Sequence, residues 1–407
     1  MKFSRRAEVM PASPIRRLAP LAVEARRAGR VVHGLNIGQP DIPSPKVILD
    51  RFRSYDAPYV PYGPSQGLPE LLEAFHTYYT RLGLKIDLAD LFVTTAGTEA
   101  ISFTLGALCD PGDQFIVFEP FYTNYNGFAA MLGIEPVPVR TYAQDGYHLP
   151  SRAAIEAKIG PRTRAMLYCS PNNPTGTVYD DAEVELLASI CKDRGIFLIS
   201  DEVYREFVYD GGKHRSALTL EGMDQQVIVV DSVSKRYSLC GARIGNIVSK
   251  NRRFMDVILR FGQGRLCPPT VEQYACTALT EVPVEYTNGV IAEYEKRRDL
   301  TMAALDAMPG VFVKKPEGAF YVCPRLPVDD TNAFATFLLR EFSIDNETVM
   351  VAPLDGFYAT PGLGKDEIRL AYVLEQAKLT RAMRILAAAL EAYPGRVVAA
   401  NGVKASR

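Results

Sequence analysis

Apolar positions in the middle of the chain gather into short runs separated by longer amphipathic stretches. Residues 91–95 form one such run. Beyond Ala96-Gly97, apolar positions recur at helical spacing over 98–108, and Asp110-Pro-Gly-Asp113 ends the pattern. Strand-like runs follow at 114–118, 135–139, 165–169, 196–200 and 227–231, with helical patterns at 121–132 and 180–194 among them. Strands separated by helices need crossover connections, so this stretch predicts a mostly parallel sheet covered by helices. After about residue 285 the texture changes: a long helical pattern over 284–308 precedes short strands at 319–322, 349–352 and 368–371 and helices ending near Tyr393. This second part predicts a smaller α+β domain.

Composition narrows the function classes. The 407 residues carry 46 Lys+Arg against 47 Asp+Glu, a formal net charge of -1, without the basic excess of a nucleic-acid-binding protein. No stretch reaches about 18 consecutive apolar residues, so no transmembrane helix is expected. Residues 1–10 run into Pro11 and Pro14 rather than into the apolar stretch of a secretory signal. The seven cysteines form no C-x-x-C pair, which fits thiols in a reducing cytoplasm. His33, His76, His148 and His214 lie far apart, so no metal site is expected.

In open parallel sheets, ligands sit beyond the carboxyl ends of the strands. Four such ends are polar here: Ala96-Gly97-Thr98 opening a helix, Ser170-Pro-Asn-Asn-Pro-Thr-Gly176, Asp201-Glu-Val-Tyr204, and Ser232-Val-Ser-Lys235. The first offers free backbone N–H groups and a positive dipole end suited to a phosphate. Taken singly, each also reads as an ordinary cap, turn or surface lysine; their order and placement together point to one site. No G-x-x-x-x-G-K-[ST] motif and no G-x-G-x-x-G after a strand is present, which argues against a nucleotide site.

Ser232-Val-Ser-Lys235-Arg-Tyr-Ser-Leu-Cys-Gly241-Ala-Arg243-Ile-Gly245 resembles the lysine motif of the class I/II aminotransferases, fold type I enzymes that use pyridoxal 5'-phosphate. Asn173-Pro174-Thr-Gly176 and Asp201-Glu-Val-Tyr204 resemble two further motifs of that family. So do Gly38-Gln-Pro-Asp41, Tyr62-Gly-Pro-Ser-Gln-Gly67, Pro316-Glu-Gly-Ala-Phe320 and Ile368-Arg369-Leu. The likeness runs from about residue 13 to residue 393 and is nearest to the bacterial aspartate aminotransferase branch.

The resemblance implies a role for each residue. Lys235 would hold the cofactor's aldehyde reversibly and afterwards carry a proton. Asp201 would keep the pyridine nitrogen protonated, so that the ring acts as an electron sink. Tyr204 and Asn173 would bond to the ring oxygen, and Tyr122 would stack on the ring face. Gly97, Thr98, Ser232, Ser234 and Arg243 would hold the phosphate, joined by Tyr62 from the neighbouring subunit of a homodimer. Arg369 would grip the substrate's α-carboxylate, helped by Asn173 and the backbone near Gly38.

The implied reaction moves the amino group of an L-amino acid, aspartate with 2-oxoglutarate as acceptor, by way of pyridoxamine phosphate. Aromatic, methionine or other neutral donors, or a lyase on the same fold, are the alternatives. One bacterial branch places a lysine for the side-chain carboxylate where this chain has Thr98, while Arg265 matches a position from which other members take a cation across the subunit boundary. The implied fold is the type I transferase fold. A large domain of residues 45–285 would carry an antiparallel strand near 244–249, a small domain would join 1–44 to 286–395, and 396–407 would form a flexible tail.

Overall fold

The computed structural model describes residues 1–397. The tail expected at 396–407 therefore lies, from residue 398 on, outside the described residues. Val397 donates its N–H to the Pro327 carbonyl at 2.9 Å, and Arg396 forms a bridge with Val328.

The strands are, in chain order, β1 (Val31–Gly34), β2 (Leu91–Thr94), β3 (Gln114–Glu119), β4 (Glu135–Arg140), β5 (Thr163–Cys169), β6 (Phe197–Asp201), β7 (Val227–Ser232), β8 (Gly245–Val248), β9 (Tyr321–Val322), β10 (Glu347–Met350), β11 (Ala352–Pro353) and β12 (Ile368–Ala371). Seven of them form the main sheet in the order β2-β8-β7-β6-β5-β3-β4. Every pairing in it is parallel except those of β8, which runs antiparallel to both β2 and β7. The fold is thus the α/β type I architecture that the motifs imply.

Burial on both faces explains why the central strands read as unbroken apolar runs. Every residue of β7 is buried, with Val227 and Val229 facing one cluster and Ile228 and Val230 the other. Helix Ala96–Leu108 packs against β7 and β8. Helix Asp181–Arg194 begins at a reciprocal cap between Asp180 and Glu183 and ends at Gly195 in the left-handed conformation, which satisfies backbone groups at both ends.

Two smaller sheets follow: β11-β12-β9 from the C-terminal part, and the parallel pair β1-β10, which joins that part to the N-terminal segment. Leu18, Ala22, Val32 and Leu35 from the N-terminal segment share one hydrophobic cluster with Phe320, Ile368 and Leu386. Two expected elements differ. The strand expected at 349–352 is divided at Val351, because the chain leaves β1 there and crosses to β12. The helix expected from residue 121 begins at Asn124, leaving Phe121 and Tyr122 in the turn after Pro120. Among the described residues no helix is long and apolar enough to cross a membrane.

Candidate active site

The polar strand ends converge on a cavity of about 760 Å³. Gly97 and Thr98 line it from the opening of helix Ala96–Leu108, Tyr122 from beyond β3, and Asn173 from beyond β5. Asp201 and Tyr204 enter from β6, and Ser232, Ser234, Lys235 and Arg243 from the loop that joins β7 to β8. The other wall comes from the smaller sheets and the N-terminal segment: Gly38, Tyr321 on β9, Arg369 on β12, and also Ser13, Ile15 and Arg16.

Lys235 is half-buried, and its Nζ donates to the Gly38 carbonyl at 3.0 Å and lies 3.7 Å from Cys240 Sγ. Asp201 is buried at the end of β6, where Oδ2 accepts from the Tyr125 hydroxyl at 2.7 Å and Oδ1 from the Val203 N–H at 3.4 Å. No cation pairs with it among the described residues. Burial pushes its carboxyl up to about 6 against the pull of the Tyr125 hydrogen bond, with Asp231 and Glu202 adding like charge. Burial likewise raises the Tyr204 hydroxyl well above its usual range, and the Tyr204 and Tyr321 hydroxyls are hydrogen-bonded to each other at 2.8 Å.

That tyrosine pair needs a glycine at position 38, because a Cβ there would lie 1.8 Å from the Tyr321 hydroxyl oxygen. Gly245 plays the matching part on the other side: a Cβ would meet the Ala96 carbonyl carbon at 2.6 Å, so only glycine lets the helix opening approach the end of β7. No side chain caps that helix, which leaves its first N–H groups without intrahelical partners beside the cavity. Ser232 and Ser234 hydroxyls lie 2.6 Å apart, and Arg243 Nη1 donates to the Cys240 carbonyl at 2.9 Å.

Arg369 is fully buried. Its Nη1 donates to Asn173 Oδ1 at 2.9 Å and its Nη2 to the Asn36 carbonyl at 2.5 Å, while Nε has no partner among the described residues. Its guanidinium lies 4.5 Å from the Tyr321 ring centre and 4.9 Å from that of Phe357. A permanently charged side chain is thus buried without a carboxylate partner among the described residues.

Tyr62 and Arg265, the two residues expected to act across a subunit boundary, do not line this chain's own cavity. Tyr62 is 81% exposed, in a surface stretch with Tyr59 and Val60. Arg265 does not line the cavity; its Nη2 reaches the Ser65 and Val93 carbonyls at 3.4 and 3.3 Å and lies 3.6 Å from Glu99. Burial lowers its guanidinium below the usual arginine value, partly opposed by Glu99. Sequence reasoning did not single out Tyr125, Tyr321, Asn36 or Arg16. Tyr125 stands three residues after Tyr122, a spacing that in the helical pattern expected over 121–132 could have flagged it.

The sequence profile of the family described as "Aminotransferase class I and II" matches residues 30–386. A probable aspartate/prephenate aminotransferase of Aquifex aeolicus is 32% identical, covering 95% of this chain and 98% of that protein. An aspartate aminotransferase of Geobacillus stearothermophilus is 29% identical over 96% of this chain and 100% of its own length. The solved structure of the aspartate aminotransferase from Thermus thermophilus with maleate superposes with a TM-score of 0.86 at 29% identity, covering 96% of this chain and 100% of that one.

Proposed function

The chain belongs to the class I and II aminotransferases and is a transaminase, and from that premise we propose that it moves the amino group of L-aspartate to 2-oxoglutarate with pyridoxal 5'-phosphate held beside Lys235. One observation carries the reading: Lys235, at the end of the main sheet, and Arg369, in another sheet, line the same cavity. An α-amino acid needs that pair, an amine-reactive group for its nitrogen and a guanidinium for its carboxylate. The names of the relatives support aspartate as the donor.

The residues fit the cofactor. Open helix N–H groups at Gly97 and Thr98, the Ser232 and Ser234 hydroxyls and Arg243 form a donor set for a phosphate. Asp201, buried and lacking a cation, matches a protonated ring nitrogen. When bound, the cofactor supplies an electron sink that lets the Cα proton of the substrate leave.

The chain's own groups do the rest. Asp201 would hold the proton of the ring nitrogen, and Tyr204 and Asn173 would donate to the ring oxygen. Lys235 Nζ would accept the proton at substrate Cα. Arg369 fixes the α-carboxylate, so that the Cα–H bond is oriented before it breaks. The exposed Tyr62 supports a homodimer in which this side chain reaches the partner's phosphate. We place the enzyme in the cytoplasm, and we assign 45–285 to a large domain that closes against 1–44 and 286–395 and so excludes water.

A panel of L-amino acids, each paired with 2-oxoglutarate and scored by 2-oxo acid product, tests the substrate. Aspartate should show the highest kcat/KM. A higher value for aromatic amino acids, methionine or alanine would overturn the aspartate assignment.

A further inference from the structure

The cavity is lined by Arg16, Lys235, Arg243 and Arg369 against one carboxylate, Asp201. In the function proposed above, on which this inference rests, Lys235 meets the cofactor's aldehyde, Arg243 its phosphate and Arg369 the α-carboxylate. Asp201 answers the ring nitrogen. Arg16 has no counterpart, and among the described residues its side chain makes neither an ion pair nor a hydrogen bond.

Its position is built. Residues 13–17 turn tightly, with the Arg16 and Arg17 N–H groups both donating to the Ser13 carbonyl at 3.1 Å. Pro14 packs so closely on Gly356 that a Cβ there would lie 2.3 Å from the proline ring, and Ile15 joins the cluster of Tyr147, Leu354 and Phe357. The adjacent arginines then part: Arg17 pairs with Asp355 at 2.6 Å, whereas Arg16 lines the cavity. Asn36 ties this arm to the carboxylate grip. Its Nδ2 donates to the Ile15 carbonyl at 3.2 Å, and its own carbonyl accepts from Arg369 Nη2.

One residue therefore couples the backbone that carries Arg16 to the guanidinium that holds the α-carboxylate. Within one chain, among the described residues, no other cation is placed for the distal end of a substrate: the helix opening carries the uncharged Thr98, and Arg265 lies against Glu99 outside this cavity. We infer that Arg16 is the specificity-determining residue, binding the side-chain carboxylate of a dicarboxylic amino acid or 2-oxo acid whose α-carboxylate rests on Arg369. A planar guanidinium suits that task because it meets a carboxylate with two parallel hydrogen bonds.

Arg16→Leu tests the inference in the holoenzyme, and the exposure of the side chain makes the substitution compatible with folding. The ratio of kcat/KM for aspartate to that for alanine should fall roughly 10- to 100-fold, the scale of a lost charged hydrogen-bond pair. The Kd for maleate, a dicarboxylate probe read by titration calorimetry, should rise by a similar factor, and Arg16→Lys should recover part of both. An unchanged ratio and maleate Kd would overturn the assignment. So would a loss of cofactor affinity at constant ratio, which would make Arg16 a phosphate contact. If the wild type shows no preference for dicarboxylates, the aspartate reading itself fails, an outcome visible before any variant is made.

Discussion

Two of the regions in which this molecule buries charge treat it in opposite ways. Behind the cavity, Arg205 Nη2 lies 2.6 Å from Glu202 Oε2, and His214 Nε2 lies 3.1 Å from the same oxygen. Glu202 Oε1 accepts from Ser200, Ser216 and the Ala217 N–H. Arg236 pairs with Asp231 and donates to the Tyr78 hydroxyl at 2.6 Å, while Tyr79 donates to Asn246 at 2.8 Å. In the cavity, by contrast, Asp201 has no cation and Arg369 no carboxylate as an ion-pair partner among the described residues. Burial alone would raise Glu202, yet Arg205 and His214 pull its carboxyl down to about 2; Asp201, one residue earlier, rises to about 6. Burial is therefore no marker of function by itself. What sets the cavity apart is that buried charges of both signs line one open space, each without an opposite charge among the described residues, so that a ligand carrying both charges offsets their cost.

Substitutions on the two sides should separate activity from stability. The largest effect is expected at Lys235: Lys235→Ala should keep the melting temperature of the wild type within a few degrees and lower turnover of aspartate at least ~10⁴-fold. Residual activity near wild type would break the contrast at its centre. Next comes the paired region. Glu202→Gln leaves Arg205 and His214 without their carboxylate, and should cost about 3–5 kcal/mol in denaturant unfolding. Activity per folded molecule should stay within about tenfold of wild type. A loss of turnover with stability intact would place Glu202 among the functional groups instead.

The contrast also explains what could be read without coordinates. Lys235, Asp201, Asn173 and Arg369 each follow or occupy a short apolar run, so strand periodicity and the motifs around them singled out four residues that line the cavity. The main sheet was legible for the same reason, including the antiparallel strand that the family likeness implied. Arg16 was not, since an arginine in a proline-containing stretch looks like surface until Pro14 is seen docked on Gly356. Nor was the paired network: Tyr78, Glu202, Asp231 and Asn246 meet only after the sheet order β2-β8-β7-β6 brings distant segments together. Arg265 was ambiguous because the sequence does not say that Glu99, on the first turn of helix Ala96–Leu108, faces it.

The smallest effect is the sharpest test of the idea that a missing partner marks the site. An exposed aspartate loses its proton near 3.8, whereas Asp201 holds its proton up to about 6 in the folded chain. Between those values the folded state binds more protons than the unfolded one, so this group lowers stability as pH rises through the window. Its full cost stands above about pH 6, at roughly 2–3 kcal/mol. Asn carries no charge and can still accept from the Tyr125 hydroxyl. Asp201→Asn should therefore stabilise the cofactor-free protein by about that amount at pH 8 and change it little near pH 4, as read by denaturant unfolding at both values. Adding pyridoxal phosphate at pH 8 should reverse the ranking, since the wild-type carboxylate then gains the ring-nitrogen proton as its partner. Equal stabilities of the two cofactor-free proteins at pH 8 would mean that Asp201 is already compensated within the chain, and the distinction between the two buried regions would lose its physical basis.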